Sequence, residues 1–170
     1  MTTIEFRAPW SASLRVMTVS SVVVVALGTV WALSASLQQS RLAPMVMIAL
    51  PLLLLALAFA DGVSGYTLTE DAIFVRRRLW DRRLPLAGLR SVTADVDAMG
   101  RSARIGNWGL FSITGRGWNK KLGWYSSYAT DPSRAVVLRY HKRTVVITPH
   151  DPQHFIMRAR TLIKAADFPK

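Results

Sequence analysis

The sequence contains no cysteine and few acidic residues. Of its 170 residues, ten are Asp or Glu and 22 are Lys or Arg, which gives a formal net charge of +12. The absence of cysteine excludes a disulfide scaffold, a cysteine-ligated zinc site and a thiol nucleophile. The shortage of acid, together with a hydrophobic content of 51%, excludes a disordered acidic chain.

The apolar and the charged residues occupy different parts of the chain. Three basic residues (Arg7, Arg15 and Arg41) and one acid (Glu5) precede Asp61. The other 19 basic and nine acidic side chains lie from Asp61 onward. The sequence therefore divides into an apolar N-terminal part and a basic C-terminal domain.

Two stretches without any charged side chain, residues 16–40 and 42–60, make up most of the apolar part. Helices of about 19 to 22 residues are ~28–33 Å long, which matches the hydrocarbon core of a bilayer. Because a backbone in lipid must satisfy its own hydrogen bonds, the sequence predicts two transmembrane helices, at 16–37 and 42–60. Pro51 is expected to kink the second helix. A helical hairpin buried within a soluble protein is the alternative.

The link between the two apolar stretches is short, residues 38–41, so the helices are expected to form an antiparallel hairpin with both chain ends on one side. Arg7 and Arg15 precede the first helix, and the positive-inside rule then predicts a cytoplasmic N-terminal segment, residues 1–15, and a cytoplasmic domain. The alternative is a signal peptide, cleaved near the small residues at 32–36, which would leave one span.

The chain after Tyr66 is predicted to form short strands and one amphipathic helix. Alternating apolar residues and turn signals predict strands at 66–69, 72–78, 82–86, 91–97, 110–114, 124–130, 135–140 and 144–148. Asp151 and Pro152 are typical of a helix N-cap and first helical position. The expected fold class is α+β, a barrel or sandwich of about seven strands, with the C-terminal helix covering one open end.

The domain also carries motifs in a recognisable order. Tyr128-Ala-Thr is followed by Val-Val-Ile-Thr-Pro-His-Asp-Pro at 145–152, and glycine-rich segments at 105–109 and 115–117 precede both. Over residues 64–166 the chain resembles the bacterial pleckstrin-homology-like domain. The resemblance implies a pleckstrin-homology barrel, a binding or scaffolding role and no enzymatic activity. Because members commonly follow transmembrane helices, it also implies a multi-pass protein of a bacterial inner membrane.

One turn departs from the pattern of phosphoinositide-binding relatives outside bacteria. Those relatives use basic residues around the turn that joins the first two strands. The corresponding turn here, residues 69–71, is Thr-Glu-Asp. This acidic turn argues against specific recognition of an inositol phosphate.

Five arginines within eight residues flank a predicted hairpin tip at Trp80-Asp81. They are Arg76, Arg77, Arg78, Arg82 and Arg83. A cation near an anionic bilayer surface contributes about 1 kcal/mol, and tryptophan is suited to headgroup depth. The sequence thus predicts contact between this hairpin, including Trp80, and anionic membrane lipids. The alternative is a solvated face whose charge is partly balanced by Asp81 and other acids.

A second candidate region is the acid-free segment 98–130, which holds six of the ten glycines. Trp118, Lys120 and Lys121 are expected to be exposed there and to meet a membrane interface or a protein partner. The glycines are expected to shape the barrel, and Trp108 and Trp124 to lie in its core.

Signals for catalysis or metal binding are weak. His150 and His154 are four residues apart, but Pro152 and the helix start lie between them, so no metal site, catalytic residue or cofactor is predicted. A membrane-tethered domain without a recognised nucleic-acid motif also argues against nucleic acid as a partner, despite a pI of about 11.2.

The sequence therefore predicts a membrane-anchored, non-catalytic module that contacts an anionic membrane surface, or a partner beside it. The alternative is a subunit of a membrane protein assembly, acting through homo- or hetero-oligomerisation without lipid recognition.

Overall fold

The computed structural model describes residues 3–35 and 42–167. Within these residues a short strand precedes two long helices, and nine further strands precede a third helix. The helices are α1 (Ala12–Ala35), α2 (Leu42–Ala60) and α3 (Pro152–Asp167). The strands are β1 (Ile4–Arg7), β2 (Val63–Leu68), β3 (Ala72–Arg77), β4 (Arg82–Pro85), β5 (Leu89–Ala94), β6 (Ala103–Leu110), β7 (Ser112–Asn119), β8 (Gly123–Ala129), β9 (Val136–Tyr140) and β10 (Thr144–Ile147).

Helices α1 and α2 pack against each other and leave most of their apolar surface exposed. Of the 26 large hydrophobic side chains exposed in the described part of the chain, 19 lie on these two helices. α1 is long and apolar enough to cross a membrane, and only 11% of its most apolar 18-residue stretch is buried inside the protein. The alternative of a hairpin buried within a soluble protein does not agree with this exposure.

The predicted helices correspond closely to α1 and α2. α1 begins at Ala12, four residues before the predicted start, because Ser11 provides an N-cap whose hydroxyl accepts from the Leu14 N–H at 3.2 Å. Residues 36–37 of the first prediction and the link at 38–41 lie outside the described residues. Pro51 lies within α2, as expected.

The strands form two sheets. The first has the order β1-β2-β3-β4, and each pair in it is antiparallel. The second has the order β5-β9-β10-β8-β7-β6, in which only the pairing of β8 with β10 is parallel. The two sheets do not close into a barrel.

The main hydrophobic core lies between the two sheets and is covered by α3. Tyr66 and Ile73 from the first sheet, Leu138 and Ile147 from the second, and Phe155 from α3 are all fully buried in it. The His154 N–H donates to the Asp151 carboxylate at 3.0 Å, which confirms the predicted N-cap of α3. The predicted α+β sandwich with a C-terminal covering helix is therefore confirmed.

Two strands, β1 and β6, were not predicted from the sequence. β1 lies before the first helix and pairs with β2, with Phe6 opposite Tyr66. β6 is rich in glycine and polar residues, so its alternation of apolar side chains is weak. The single strand predicted at 110–114 is wrong, because the chain reverses at Phe111, which has a φ of 61°, and Leu110 pairs with Ser112.

Candidate functional site

The helical hairpin meets the domain at one end of the strands. The Thr18 hydroxyl of α1 is buried, donates to the Gly109 carbonyl at 3.3 Å and accepts from the Phe111 N–H at 3.1 Å. The Phe111 ring lies edge-on to Trp10 and Phe59, with centroid distances of 6.2 and 5.3 Å. The turn between β6 and β7 is therefore held between the start of α1 and the end of α2.

Glycine at position 109 makes this close approach possible. Its φ is +148°, and a Cβ atom there would overlap the side chain of Met17. A larger residue would have an unfavourable backbone conformation, whereas its contact with the end of the flexible Met17 side chain can be relieved by movement of that side chain. The position thus needs glycine because of its backbone conformation.

The segment before α1 is also fixed to the domain. The Ser11 N–H donates to the Thr130 carbonyl at 3.2 Å, and the His150 N–H donates to the Arg7 carbonyl at 2.9 Å. Because β1 is a strand of the first sheet, both ends of the hairpin are anchored in the folded domain.

Asp61, directly after α2, connects the hairpin to both sheets. Its carboxylate accepts from Arg77 of β3 and from the Thr114 hydroxyl of β7. The Arg77 side chain is 11% exposed, and its guanidinium lies over the Tyr128 ring at 4.9 Å. Arg77 therefore links β3 to the end of α2 through Asp61, in a cluster that we call the Asp61 clamp (Asp61, Arg77 and Thr114).

Arg76 and Arg83 pair with carboxylates on the first sheet. Arg76 lies 3.4 Å from Asp81 and 3.7 Å from Glu5, and Arg83 lies 2.5 Å from Asp71. A hydrogen bond from the Thr69 hydroxyl, and then the Arg83 guanidinium, hold the pKa of Asp71 below its ordinary value. Both arginines are half-exposed, but their charge is locally balanced.

The predicted hairpin tip lies beside the end of α2. The Arg78 N–H donates to the Gly62 carbonyl at 3.2 Å, and its guanidinium lies 4.0 Å from the centre of the Phe59 ring. The next two side chains, Leu79 and Trp80, are 73% and 49% exposed. Arg82 follows at the start of β4 and is also exposed. The structure therefore brings Arg78 to the junction, and Leu79 and Trp80 follow it as exposed residues of the hairpin tip.

Trp118, Lys120 and Lys121 lie at the opposite end of the second sheet. Trp118 pairs with Ala103 on β6, six residues before Gly109, so about 20 Å of strand separates these residues from the junction. All three are exposed, as expected, and Lys121 forms an ion pair with Asp95 at 2.6 Å. They do not join the arginine hairpin in one surface.

The prediction that Trp124 lies in the core is wrong. Trp124 is 63% exposed, because it stands opposite Trp118 near the free end of β8. The side chain of Trp108 lies outside the described residues. The expected structural role of the glycines is confirmed at Gly117, where the Tyr125 ring occupies the space of a Cβ atom.

The residues that carry the junction were missed by sequence reasoning. Thr18, Asp61 and Phe111 come from three distant segments, and only the fold brings them together. One usable signal was Asp61 itself, which is the first acid after Glu5 and ends the second apolar stretch.

Comparison with known families agrees with this architecture. The family model described as a bacterial PH domain matches residues 64–163, which is more than half of the chain. The chain belongs to this family. The matched PH domain runs from β2 to α3, so β1 and the two apolar helices lie outside it. No curated protein and no solved structure matches the chain significantly.

Membership of the bacterial PH domain family supports a binding or scaffolding module in general, since PH-like domains are generally non-catalytic. Among residues 3–35 and 42–167, no group of three His, Asp or Glu side chains is arranged to hold a metal ion. In this PH domain the tip of the β3–β4 hairpin begins at Arg78, which contacts Phe59 of α2, and it carries the exposed Leu79 and Trp80, which makes it the candidate functional surface.

Proposed function

We propose that this chain is a membrane-anchored, non-catalytic binding module. Its PH domain would contact the anionic surface of the bilayer through the tip of the β3–β4 hairpin. The observation that carries the proposal is the exposure of Leu79 and Trp80 directly after Arg78, whose guanidinium lies over the Phe59 ring at the end of α2. Aromatic and cationic residues at the end of an apolar helix are typical of the membrane–water interface.

Two transmembrane spans are favoured by the exposed apolar faces of α1 and α2. Outside a bilayer these two faces would form an apolar patch far larger than soluble monomers tolerate. Cleavage of the first segment near residues 32–36 would remove β1 and Thr18, which bind the PH domain. These contacts favour a retained first helix over a signal peptide.

A cytoplasmic PH domain in a bacterial inner membrane is the orientation that we propose. Arg15 on the first turn of α1 and Arg78 beside the end of α2 lie on the domain side of the hairpin. Cations that flank transmembrane helices favour the cytoplasmic side. A reporter fused at residue 38, in the link, and a second reporter at the C-terminus should therefore show opposite locations.

The proposed membrane contact can be tested by spin labelling, because the chain has no native cysteine. A nitroxide at Leu79→Cys in the full chain, reconstituted into bilayers, should show greater collision with oxygen than with a polar nickel chelate. Val96→Cys, 64% exposed on the domain, is the matched control and should show aqueous accessibility. Equal aqueous accessibility at both positions would show that the hairpin tip does not contact the bilayer.

The anionic preference has a separate test. The Leu79 label should lie deeper in bilayers that contain phosphatidylglycerol than in phosphatidylcholine alone. Removing two cations near the surface, with Arg78→Gln and Arg82→Gln, is expected to weaken the attraction by about 2 kcal/mol and to abolish that difference. Unchanged depth in the double variant would mean that apolar contact alone holds the tip.

A second candidate function is assembly with other subunits. Ile105, Trp118 and Trp124 are exposed on neighbouring strands, and β6 forms the edge of its sheet. Exposed apolar residues beside an open edge favour association with another chain. A full-length protein that sediments strictly as a monomer in detergent would count against self-association.

A further inference from the structure

A basic cleft lies at the end of the second sheet that is remote from the helices. Its volume is about 190 Å³, and it lies between the strand pair β7–β8 and the turn that joins β9 to β10. Three cations line it, Arg116, Lys142 and Arg143, together with the indole of Trp124. The hydroxyl-bearing residues Ser126 and Thr144, and Tyr125, complete the lining.

The positive charge of this cleft is not balanced by nearby carboxylates. In the described part of the chain, no carboxylate lies within ion-pair distance of Arg116, Lys142 or Arg143, whereas Arg76, Arg77 and Arg83 each have such a partner. Both sequence segments that form the cleft, 98–130 and 132–150, lack Asp and Glu entirely. Three like charges gathered without a counter-charge favour the binding of an anion.

The cleft also offers hydrogen-bond donors that no protein group uses. Within the described residues, the side chains of Ser126 and Thr144 make no hydrogen bond with the rest of the chain. Arg143 is held in place, because its guanidinium lies over the Tyr140 ring at 4.6 Å. A cleft lined by residues with guanidinium, ammonium and hydroxyl donors matches the acceptor oxygens of a phosphate group.

We propose that this cleft binds the phosphate group of a small phosphate-bearing ligand. Ser11 at the start of α1 contacts Thr130, and six residues of β8, or about 20 Å, separate Thr130 from Trp124. The cleft therefore faces away from the bilayer that would hold α1, which favours a ligand from solution over a lipid headgroup. The inference goes beyond the proposed membrane contact and uses none of its residues.

The test uses the full chain in phosphatidylcholine nanodiscs, which present no net-anionic lipid. Calorimetric titration with inorganic phosphate and with glycerol 3-phosphate, at constant ionic strength in chloride, should show saturable binding. The double variant Arg116→Gln and Arg143→Gln is expected to weaken that binding about tenfold or more, since each lost charge-assisted bond is strong. Arg90→Gln with Arg158→Gln, which removes two exposed cations outside the cleft, should change the affinity less than about twofold.

The outcomes separate the sources of the phosphate. Cleft-dependent binding of phosphatidylglycerol nanodiscs without binding of either free phosphate compound would assign the site to a lipid headgroup and reject the soluble source. No saturable binding of any phosphate compound would overturn the proposal, and so would an equal loss in the Arg90 and Arg158 control. None of these results depends on the Leu79 label, so failure here is distinguishable from failure of the membrane contact.

Discussion

Replacing Thr18 by valine should loosen the attachment of the PH domain to its helical hairpin. The substitution keeps the size and β-branched shape of the side chain and removes only the hydroxyl. Thr18 is 4% exposed, and its hydroxyl forms hydrogen bonds with two backbone groups of the β6–β7 turn, the Gly109 carbonyl and the Phe111 N–H. In the variant both backbone groups lose this partner at a position that is buried in the native junction.

The expected cost follows from leaving buried backbone groups without partners. An unsatisfied buried donor or acceptor costs about 1–3 kcal/mol, so the variant should lose ~2–4 kcal/mol of stability if both groups stay buried. The local consequence is more specific than the global one. Amide exchange at Phe111 should accelerate by about one to two orders of magnitude, because ~1.4 kcal/mol corresponds to a factor of ten.

Hydrogen exchange measured on the full chain in nanodiscs, together with thermal unfolding, gives the assay. Thr29→Val is the matched control, because the Thr29 hydroxyl donates only within α1, to the Val25 carbonyl at 2.8 Å. The control should leave exchange at Phe111 unchanged and shift stability by less than about 0.5 kcal/mol. Unaltered exchange at Phe111 in the Thr18 variant would refute the idea that this hydroxyl fixes the junction.

Two further predictions concern the charged and phenolic groups of the domain. Asp61→Asn should lower the free energy of unfolding by about 2–4 kcal/mol, measured with a chemical denaturant, because it leaves the mostly buried Arg77 without its carboxylate. Asp81→Asn, on the exposed surface, should lower it by under ~1 kcal/mol. Equal losses in the two variants would contradict a structural role for the Asp61–Arg77 pair. Complete burial raises the pKa of Tyr66 to about 12 from an ordinary 10.0. Between these two values the phenol ionises in the unfolded chain but not in the folded one. The stabilising contribution of Tyr66 is therefore full below pH ~10 and declines by up to ~3 kcal/mol as the pH rises to about 12. Tyr66→Phe should flatten this alkaline loss of stability, leaving the smaller part due to Tyr140, whose pKa is also raised by burial; an equally steep loss in the variant would show that Tyr66 is not its source.

Local signals account for the parts of the fold that the sequence predicts well. An uncharged run of helical length and an N-cap at Asp151 are both recognised from residues that are contiguous in the chain, and both occur as expected. β1 has no such signal, since it is four residues long and its partner β2 begins 56 residues after its end. Only the pairing with β2 makes this segment a strand.

The candidate site was harder to predict because neighbours in sequence point in different directions. Along β3, Arg76 faces Glu5 and Asp81, while Arg77 turns toward Asp61 on the other side of the sheet. This follows from the two-residue repeat of a strand, but the acids lie up to 71 residues away in the chain. A count of arginines therefore overstates the free charge of the hairpin, whereas the cations of the remote cleft come from β7 and from the turn between β9 and β10.

The position of the hairpin tip follows from how the chain enters and leaves the apolar helices. β1 before α1 and β2 after α2 are adjacent strands of one sheet, and Asp61 and Thr18 add side-chain bonds to the other sheet. With both ends fixed, the PH domain has little freedom to turn relative to the hairpin. If α1 and α2 span a bilayer, Trp80 is held at its surface at a high effective concentration, and a weak attraction is then sufficient for contact. For this chain, membrane contact would thus depend on the rigidity of the junction more than on the strength of any one lipid interaction, and variants that loosen the junction should release the Leu79 label from the bilayer even with every arginine intact.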